Sequence, residues 1–153
     1  GGAQGMMGAV ARGMTAGGGR ILGVAPTFFQ VDGVLYEHCT DFLYTETMRQ
    51  RKQAMEDRSD GFIMTPGGIG TYEEFFEILT LKQLGRHAKP IAVFNVAGYF
   101  DDLLRMLETT VREGFMERAC LDLCRVFTEP EPLLDYLETD SRPVPSLERL
   151  KRI

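Results

Sequence analysis

Apolar residues are distributed along this chain in two kinds of segment. Short apolar runs end at a proline, a glycine or a polar turn, and their length suits buried parallel strands. Longer segments between them carry apolar residues at three- and four-residue spacing, as amphipathic helices do. The runs predicted as strands are 21–25, 42–44, 62–64, 91–94 and 123–127. Strands that alternate with helices in this way predict a parallel sheet with helices on both faces and right-handed crossovers.

Helices are predicted in the segments between these strands. Their predicted ranges are 5–16, from Thr45 or Thr47 to 58, 71–84, 101–113 and 129–137. Gly17, Gly85 and Gly114 are placed to end three of them. The positions predicted to face the core are Met7, Val10 and Met14 in the first helix, Tyr72, Phe75, Phe76 and Leu79 in the third, and Leu103, Leu104, Leu107 and Val111 in the fourth, with Phe115 and Met116 packing beyond it.

The stretch 61–84 reads as strand, glycine turn and helix. Pro66 ends the strand, and we expect the glycines at 67, 68 and 70 to adopt positive φ and to expose bare N–H groups. Thr71 is the predicted N-cap. Because a helix N-terminus behind a glycine loop favours negative charge, phosphate is the expected ligand. A second interpretation stays open, since Thr71-x-x-Glu74 also fits a capping box that has only a structural role.

The opening stretch 1–8 is a glycine-rich loop with no strand in front of it, whereas such loops normally follow a strand. It is either a structural turn or part of a ligand site. We expect a native chain to carry roughly 35 further residues before it, enough for a strand, a helix and a strand of typical length. Without them, the loop would be unanchored and the apolar face of the first helix exposed.

The 153 residues and 44% hydrophobic content predict one domain, 1–138, followed by a charged tail, 139–153. The net charge of −5 argues against nucleic-acid or anionic-membrane partners. The cations Arg49, Arg51 and Lys52 are a local cluster that either serves one phosphate or forms a solvated helix face. The segment 27–40 is either a substrate-facing lid or an ordinary connection.

Three cysteines, with no CxxC pair, indicate reduced thiols in a cytoplasmic protein. Cys120 and Cys124 could share a helical turn and are expected to pack as small apolar groups. His38 and His87 are the two histidines, so no metal site is expected. No apolar stretch long enough for a membrane helix and no signal peptide is present, which favours a soluble protein.

Two linked motifs carry a family resemblance. PGGIGTYEE at 66–74 resembles the PGGxGTxxE motif of the LOG (Lonely guy) family of cytokinin riboside 5′-monophosphate phosphoribohydrolases, often labelled lysine decarboxylases. Met48, Arg51 and Lys52 match its second signature, Met-x-x-Arg-Lys, at the usual distance upstream. Residues 1–8 resemble the family's GGGxxGLMG segment. The resemblance runs to about Leu137 and implies a Rossmann-like three-layer α/β sandwich that forms a homodimer.

The resemblance further implies cleavage of the N-glycosidic bond of N6-substituted adenosine 5′-monophosphates, without a cofactor, to free base and ribose 5-phosphate. Since ligands bind above the carboxyl ends of parallel strands, all three motif segments are expected at one site. Glu74 is expected to stabilise the positive charge on the ribose and to polarise the attacking water. Arg51 stays protonated and would act electrostatically on the phosphate or the base. The residues expected to bind substrate are Gly2, Gly5, Met7, Gly8, Lys52, Gly67, Gly68, Ile69, Gly70 and Thr71, with Asp32 or Glu37 as a further contact.

Two other functions share parts of this pattern. A non-catalytic nucleotide carrier, like the related molybdenum-cofactor carriers, would share the phosphate turn but would have no use for Glu74 beneath the anomeric carbon. A decarboxylase would need pyridoxal phosphate on a Schiff-base lysine. Among the four lysines of the chain, only Lys52 is predicted to lie near a glycine loop that could hold that phosphate.

Overall fold

The computed structural model describes residues 2–140, which fall into two compact units that divide between Ser59 and Asp60. Each unit combines parallel strands with helices, and every pairing between named strands is parallel. The predicted α/β class is therefore confirmed, and it is consistent with a Rossmann-like fold. Among residues 2–140, no helix has both the length and the apolar character that a membrane span requires.

The first unit has two strands and two helices. In order they are α1 (Gly5–Ala16), β1 (Leu22–Pro26), β2 (Asp41–Thr45) and α2 (Met48–Arg58). β1 and β2 pair in parallel, with Val24 opposite Leu43. Thr47, one of the two predicted caps, begins α2 in a capping box with Gln50, whose side chain accepts from the Thr47 N–H at 3.1 Å.

Helix α1 has its predicted bounds, and its apolar face is exposed, as expected for this stretch of chain. Met7, Val10 and Met14 are 49%, 54% and 43% exposed, and Gly8 is the buried residue of the helix. The loop before α1 is anchored, contrary to expectation, because Gly2 forms an antiparallel bridge with Leu35. The adjacent Ala3 N–H also donates to the Val34 carbonyl at 2.9 Å. The 3.6-residue spacing thus identified the helix, whereas burial depends on what packs against it.

The described part of the second unit, up to residue 140, has three strands and three α-helices. In order they are β3 (Phe62–Met64), α3 (Ile69–Gln83), β4 (Ile91–Phe94), α4 (Asp101–Arg112), β5 (Arg125–Phe127) and α5 (Pro130–Thr139). β4 lies between β3 and β5 and pairs in parallel with both. β4 is therefore the central strand of this sheet, and the carboxyl ends of all three strands lie at the same edge.

The side chains of β4 alternate between the two faces of this three-stranded sheet. Ile91 and Val93 are 1% and 0% exposed and belong to the core cluster that contains Phe75 and Leu79 of α3 and Leu103 of α4. Ala92, between them, packs instead with Leu133 and Tyr136 of α5. Helices therefore cover both faces, which is the three-layer arrangement predicted for the fold.

The connection between α3 and β4 is fixed by one buried histidine. Gly85, at φ 68°, ends α3, and two residues later His87 places its Nε2 3.0 Å from the Ile78 carbonyl. The Lys89 N–H donates to His87 Nδ1 at 3.2 Å, so the proton of the neutral ring is on Nε2 and is donated to Ile78. His87 thus joins the last turns of α3 to the start of β4.

Several predicted details of the second unit are wrong. The segment 118–123 forms a 3₁₀ helix, so β5 begins at Arg125 and Cys120 and Cys124 do not share an α-helical turn. Phe115, predicted to pack, is 83% exposed after the turn at Gly114. α5 extends to Thr139, which was predicted to begin the tail, and the prediction for 141–153 lies outside the described residues.

Candidate functional site

The glycine turn after β3 does not use positive φ, contrary to the prediction. Gly68 has φ −97° and ψ −154°, and neither Gly67 nor Gly70 lies in the left-handed region. Close approach explains Gly67, because a Cβ there would collide with the Thr71 hydroxyl. A Cβ on Gly68 or Gly70 would meet no heavy atom within 4 Å. The turn therefore has open space above two backbone positions, Gly68 and Gly70, at the start of α3.

Gly68, and not Thr71, is the N-cap of α3. The N–H groups of Thr71 and Tyr72 both donate to the Gly68 carbonyl, at 3.0 and 3.3 Å. Thr71 is thus the third residue of the helix, and the predicted capping box with Glu74 is wrong because its N-cap is misplaced. Glu74 is half-buried in the second turn, and the first turn contains no acidic residue.

A helix start of this kind is suited to an anion. The first N–H groups of a helix have no acceptor within the helix, and the helix dipole adds partial positive charge at this end. Glycine at the N-cap and at Gly70 leaves those groups accessible. The absence of a first-turn carboxylate in α3 means that no side chain there repels a bound anion. These features agree with the phosphate-binding role predicted for the turn.

Tyr99, which the sequence analysis did not single out, contacts the glycine turn. Its hydroxyl donates to the Gly67 carbonyl at 2.8 Å. Tyr72, on the first turns of α3, has its pKa raised by partial burial and then by the charge and the hydrogen bond of Tyr99. Tyr99 therefore joins the segment after β4 to the glycine turn.

Asn95 holds the segment that carries Tyr99. It follows β4 and is 6% exposed, its N–H donates to the Phe127 carbonyl at 2.7 Å, and its amide Nδ2 donates to Asp101 Oδ1 at 2.8 Å. Asn95 Oδ1 accepts from the Phe100 N–H at 2.7 Å. Asn95 could have been identified from the sequence, because it directly follows a predicted strand. Ligands bind at the carboxyl ends of parallel strands, and those of β3 and β4 are adjacent.

Arg51 and Lys52 lie in the first unit, on α2. Arg51 is 7% exposed, and its Nε donates to the Val24 carbonyl of β1 at 3.3 Å. This burial rules out the interpretation of Arg51 as part of a solvated helix face. Lys52 is half-buried and Arg49 is exposed. Burying a guanidinium is costly unless its donors are used, so Arg51 has a specific role in this unit.

The predicted site residues of the opening stretch differ in accessibility. Gly5 begins α1 at φ 61°, and a Cβ there would meet no heavy atom within 4 Å. At Gly8, in contrast, a Cβ would collide with the Ala3 carbonyl, so this glycine allows close packing of its own chain. Gly2 forms the bridge with Leu35, and Met7 is exposed.

The residue range 7–137 matches the protein-family model described as "Possible lysine decarboxylase". The chain belongs to this family. The resemblance to LOG proteins is thereby confirmed, and both motifs, at 48–52 and 66–74, fall within the matched range.

Similar curated proteins carry phosphoribohydrolase names. The chain is 36% identical over 138 residues to cytokinin riboside 5′-monophosphate phosphoribohydrolase LOG2 of Arabidopsis thaliana, covering 90% of the chain and 65% of the relative. It is 42% identical over 116 residues to the probable enzyme of the same name LOGL9 of Oryza sativa subsp. japonica, covering 76% and 51%. The probable enzyme LOG6 of Arabidopsis thaliana is 40% identical over 116 residues, covering 76% and 58%. The chain thus spans about half to two thirds of the length of these family members.

One of two acidic residues, Asp32 or Glu37, was predicted to make a further contact with the substrate. Asp32 and Glu37 are both exposed, in the segment that follows a short 3₁₀ helix, Thr27–Phe29. Phe28, in that 3₁₀ helix, is 58% exposed. The structure does not distinguish the two carboxylates by burial, so the choice between them stays open.

An apolar cavity of about 270 Å³ lies elsewhere in the second unit, and its lining includes no residue of the glycine turn. It is lined by Leu79, Leu104, Leu107, Glu108, Met116, Cys120, Leu121, Cys124 and Val126. The pKa of the Cys120 thiol is raised by burial and then by the charge of Glu117, so this thiol is a poor nucleophile at neutral pH. Among residues 2–140, no group of three or more His, Cys, Asp or Glu side chains could hold a metal ion.

Proposed function

We propose that the protein hydrolyses the N-glycosidic bond of adenosine-type 5′-monophosphates, N6-substituted ones included, and releases the free base and ribose 5-phosphate. The observation that carries this proposal is the open glycine turn at the start of α3, followed one helical turn later by the carboxylate of Glu74. The phosphoribohydrolase names of the relatives support the same reaction.

The turn supplies the binding energy for the 5′-phosphate. The N–H groups of Gly68, Ile69 and Gly70 belong to the N-terminus of a 15-residue helix, where unpaired donors and the dipole act together. Hydrogen bonds to a charged acceptor contribute about 1.5–3 kcal/mol each, which is more than neutral ones do. A nucleoside without phosphate would lose these bonds.

Glu74 serves the reacting carbon. It follows Gly70 by four residues, which is a rise of roughly 6 Å along the helix axis. That offset suits a carboxylate that reaches the ribose while the phosphate stays at the helix start. As the base departs, positive charge builds on the ribose ring, and a nearby carboxylate stabilises that charge and polarises the attacking water.

Arg51 contributes electrostatically to the same reaction in this proposal. As the family resemblance implies, we assign Arg51 an electrostatic role on the phosphate or on the departing base. Its burial fixes the side chain and supports this role over a solvated one. Lys52, half-buried beside it, is proposed as a secondary phosphate contact.

We propose that the protein works as a cytoplasmic homodimer. The three cysteines are free thiols, which is consistent with a reducing compartment. Self-association is the family's expected state, and Tyr72, Phe76 and Ile78 make α3 apolar over much of its circumference. Light scattering at micromolar concentration should give twice the chain mass, and the mass of one chain would contradict the homodimer.

Incubation with a panel of 5′-monophosphates of different bases, followed by chromatography, tests the proposed reaction. We expect free adenine, or the N6-substituted base, together with an equal amount of ribose 5-phosphate. Nucleotide binding without any release of base would instead favour the carrier function. Release of base from pyrimidine nucleotides at the same rate would overturn the proposed preference for adenine.

A further inference from the structure

We infer that Tyr99 is a positioning residue that fixes the orientation of the phosphate-binding peptide between Gly67 and Gly68. The inference rests on the proposed function, because it assigns a role within the same turn. Tyr99 donates to the Gly67 carbonyl at 2.8 Å, although its ring is 50% exposed. The bond joins the segment after β4 to the turn after β3.

Holding the Gly67 carbonyl also sets the direction of the Gly68 N–H. The peptide group is planar, and no peptide bond in the described part of the chain is cis, so the C=O and N–H of one peptide point in opposite directions. A Gly67 carbonyl directed at Tyr99 therefore directs the Gly68 N–H away from Tyr99. The space above Gly68, where a Cβ would meet nothing within 4 Å, leaves that peptide accessible to a ligand.

This peptide needs an external bond because glycine flanks it on both sides. Gly67 and Gly68 have no Cβ, so rotation of the peptide between them meets little steric resistance. The adjoining hydrogen bonds, from Thr71 and Tyr72, go to the carbonyl of Gly68 and hold only the following peptide. The hydrogen bond from Tyr99 therefore limits the rotation of this peptide, which at other positions is limited by the Cβ atoms of the flanking residues.

Tyr99 is itself rigidly supported. The turn before it contains Ala97 at φ 51° and Gly98 at φ 74°, and a non-glycine residue in this region persists only where its surroundings hold it. Asn95 provides that support with the three hydrogen bonds described above. The Tyr99 ring also meets the edge of Phe100, which is 0% exposed, at a centroid distance of 5.0 Å.

The test is Tyr99→Phe, which removes the hydroxyl and keeps the ring on Phe100. Without the bond from Tyr99, the Gly68 N–H is no longer held toward the phosphate. We therefore expect AMP to bind roughly tenfold more weakly, which corresponds to the loss of one charge-assisted hydrogen bond, while adenosine binding stays unchanged. In turnover, KM for the nucleotide should rise with little change in kcat, because the phosphate is bound equally in the ground and transition states.

Tyr44→Phe is the matched control, because it removes the hydroxyl of a tyrosine that is 43% exposed on β2. It should leave AMP binding unchanged. Equal weakening of AMP and adenosine in Tyr99→Phe, or unchanged AMP affinity, would overturn the inference. Binding is measured separately from base release, so a wild-type protein that binds AMP without cleaving it would refute the proposed reaction and leave this test intact. A wild-type protein that does not bind AMP would refute both.

Discussion

Replacing Glu74 with Gln is expected to lower kcat roughly a thousandfold while nucleotide affinity and the free energy of unfolding stay close to wild type. The magnitude follows from losing a charge that acts only as the ribose becomes positive, together with the group that polarises water. Glutamine keeps the size and helix propensity of the residue. Stopped assays of base release, isothermal titration with AMP and urea unfolding measure the three quantities.

Glu73→Gln provides the control for this change. Glu73 is the exposed neighbour of Glu74 on α3, so the substitution removes the same charge at a position turned about 100° around the helix. We expect it to retain most of the activity. A Glu74→Gln protein that unfolds early yet still releases base would contradict the catalytic assignment and would point to a structural role.

Replacing Gly70 with Ala should raise the free energy of unfolding and weaken nucleotide binding. Gly70 lies in the first turn of α3, and an added methyl group would meet no protein atom within 4 Å. The free energy of unfolding should therefore rise by up to about 1 kcal/mol, as glycine-to-alanine changes in helices do. The methyl group would occupy the space assigned to the phosphate, so KM for the nucleotide should rise roughly a hundredfold.

Gly13→Ala in α1 is the control for the glycine change, because a Cβ there also meets no atom within 4 Å. It should give a similar gain in stability with no loss of activity. A Gly70→Ala protein that binds AMP as tightly as wild type would show that the open space above the turn is not the phosphate site. Urea unfolding and titration with AMP measure both effects.

The sequence was most informative where a pattern has a local cause. The strand Phe62–Met64 and the strand Ile91–Phe94 have their predicted bounds, because short apolar runs closed by turn residues leave little freedom. The N-cap of α3 was misplaced by three residues, since Thr71 is the stronger cap by composition. Gly68 takes that position instead, and the Thr71 side chain packs against Gly67.

Long-range contacts account for what the sequence did not predict. No local pattern connects Tyr99 with Gly67, which are 32 residues apart and meet only because β3 and β4 are paired. The burial of Arg51 likewise depends on its packing against β1 and not on its own helix.

The most direct test of the proposed reaction compares AMP with adenosine at equal concentration, measuring released adenine by chromatography and ribose 5-phosphate by an enzymatic assay. We expect AMP to release adenine and ribose 5-phosphate in equal amounts. For adenosine we expect a kcat/KM lower by roughly a thousandfold, which corresponds to about 4 kcal/mol of charge-assisted hydrogen bonding to the phosphate. Equal kcat/KM values for AMP and adenosine would contradict the assignment of the Gly67–Thr71 turn as the phosphate site.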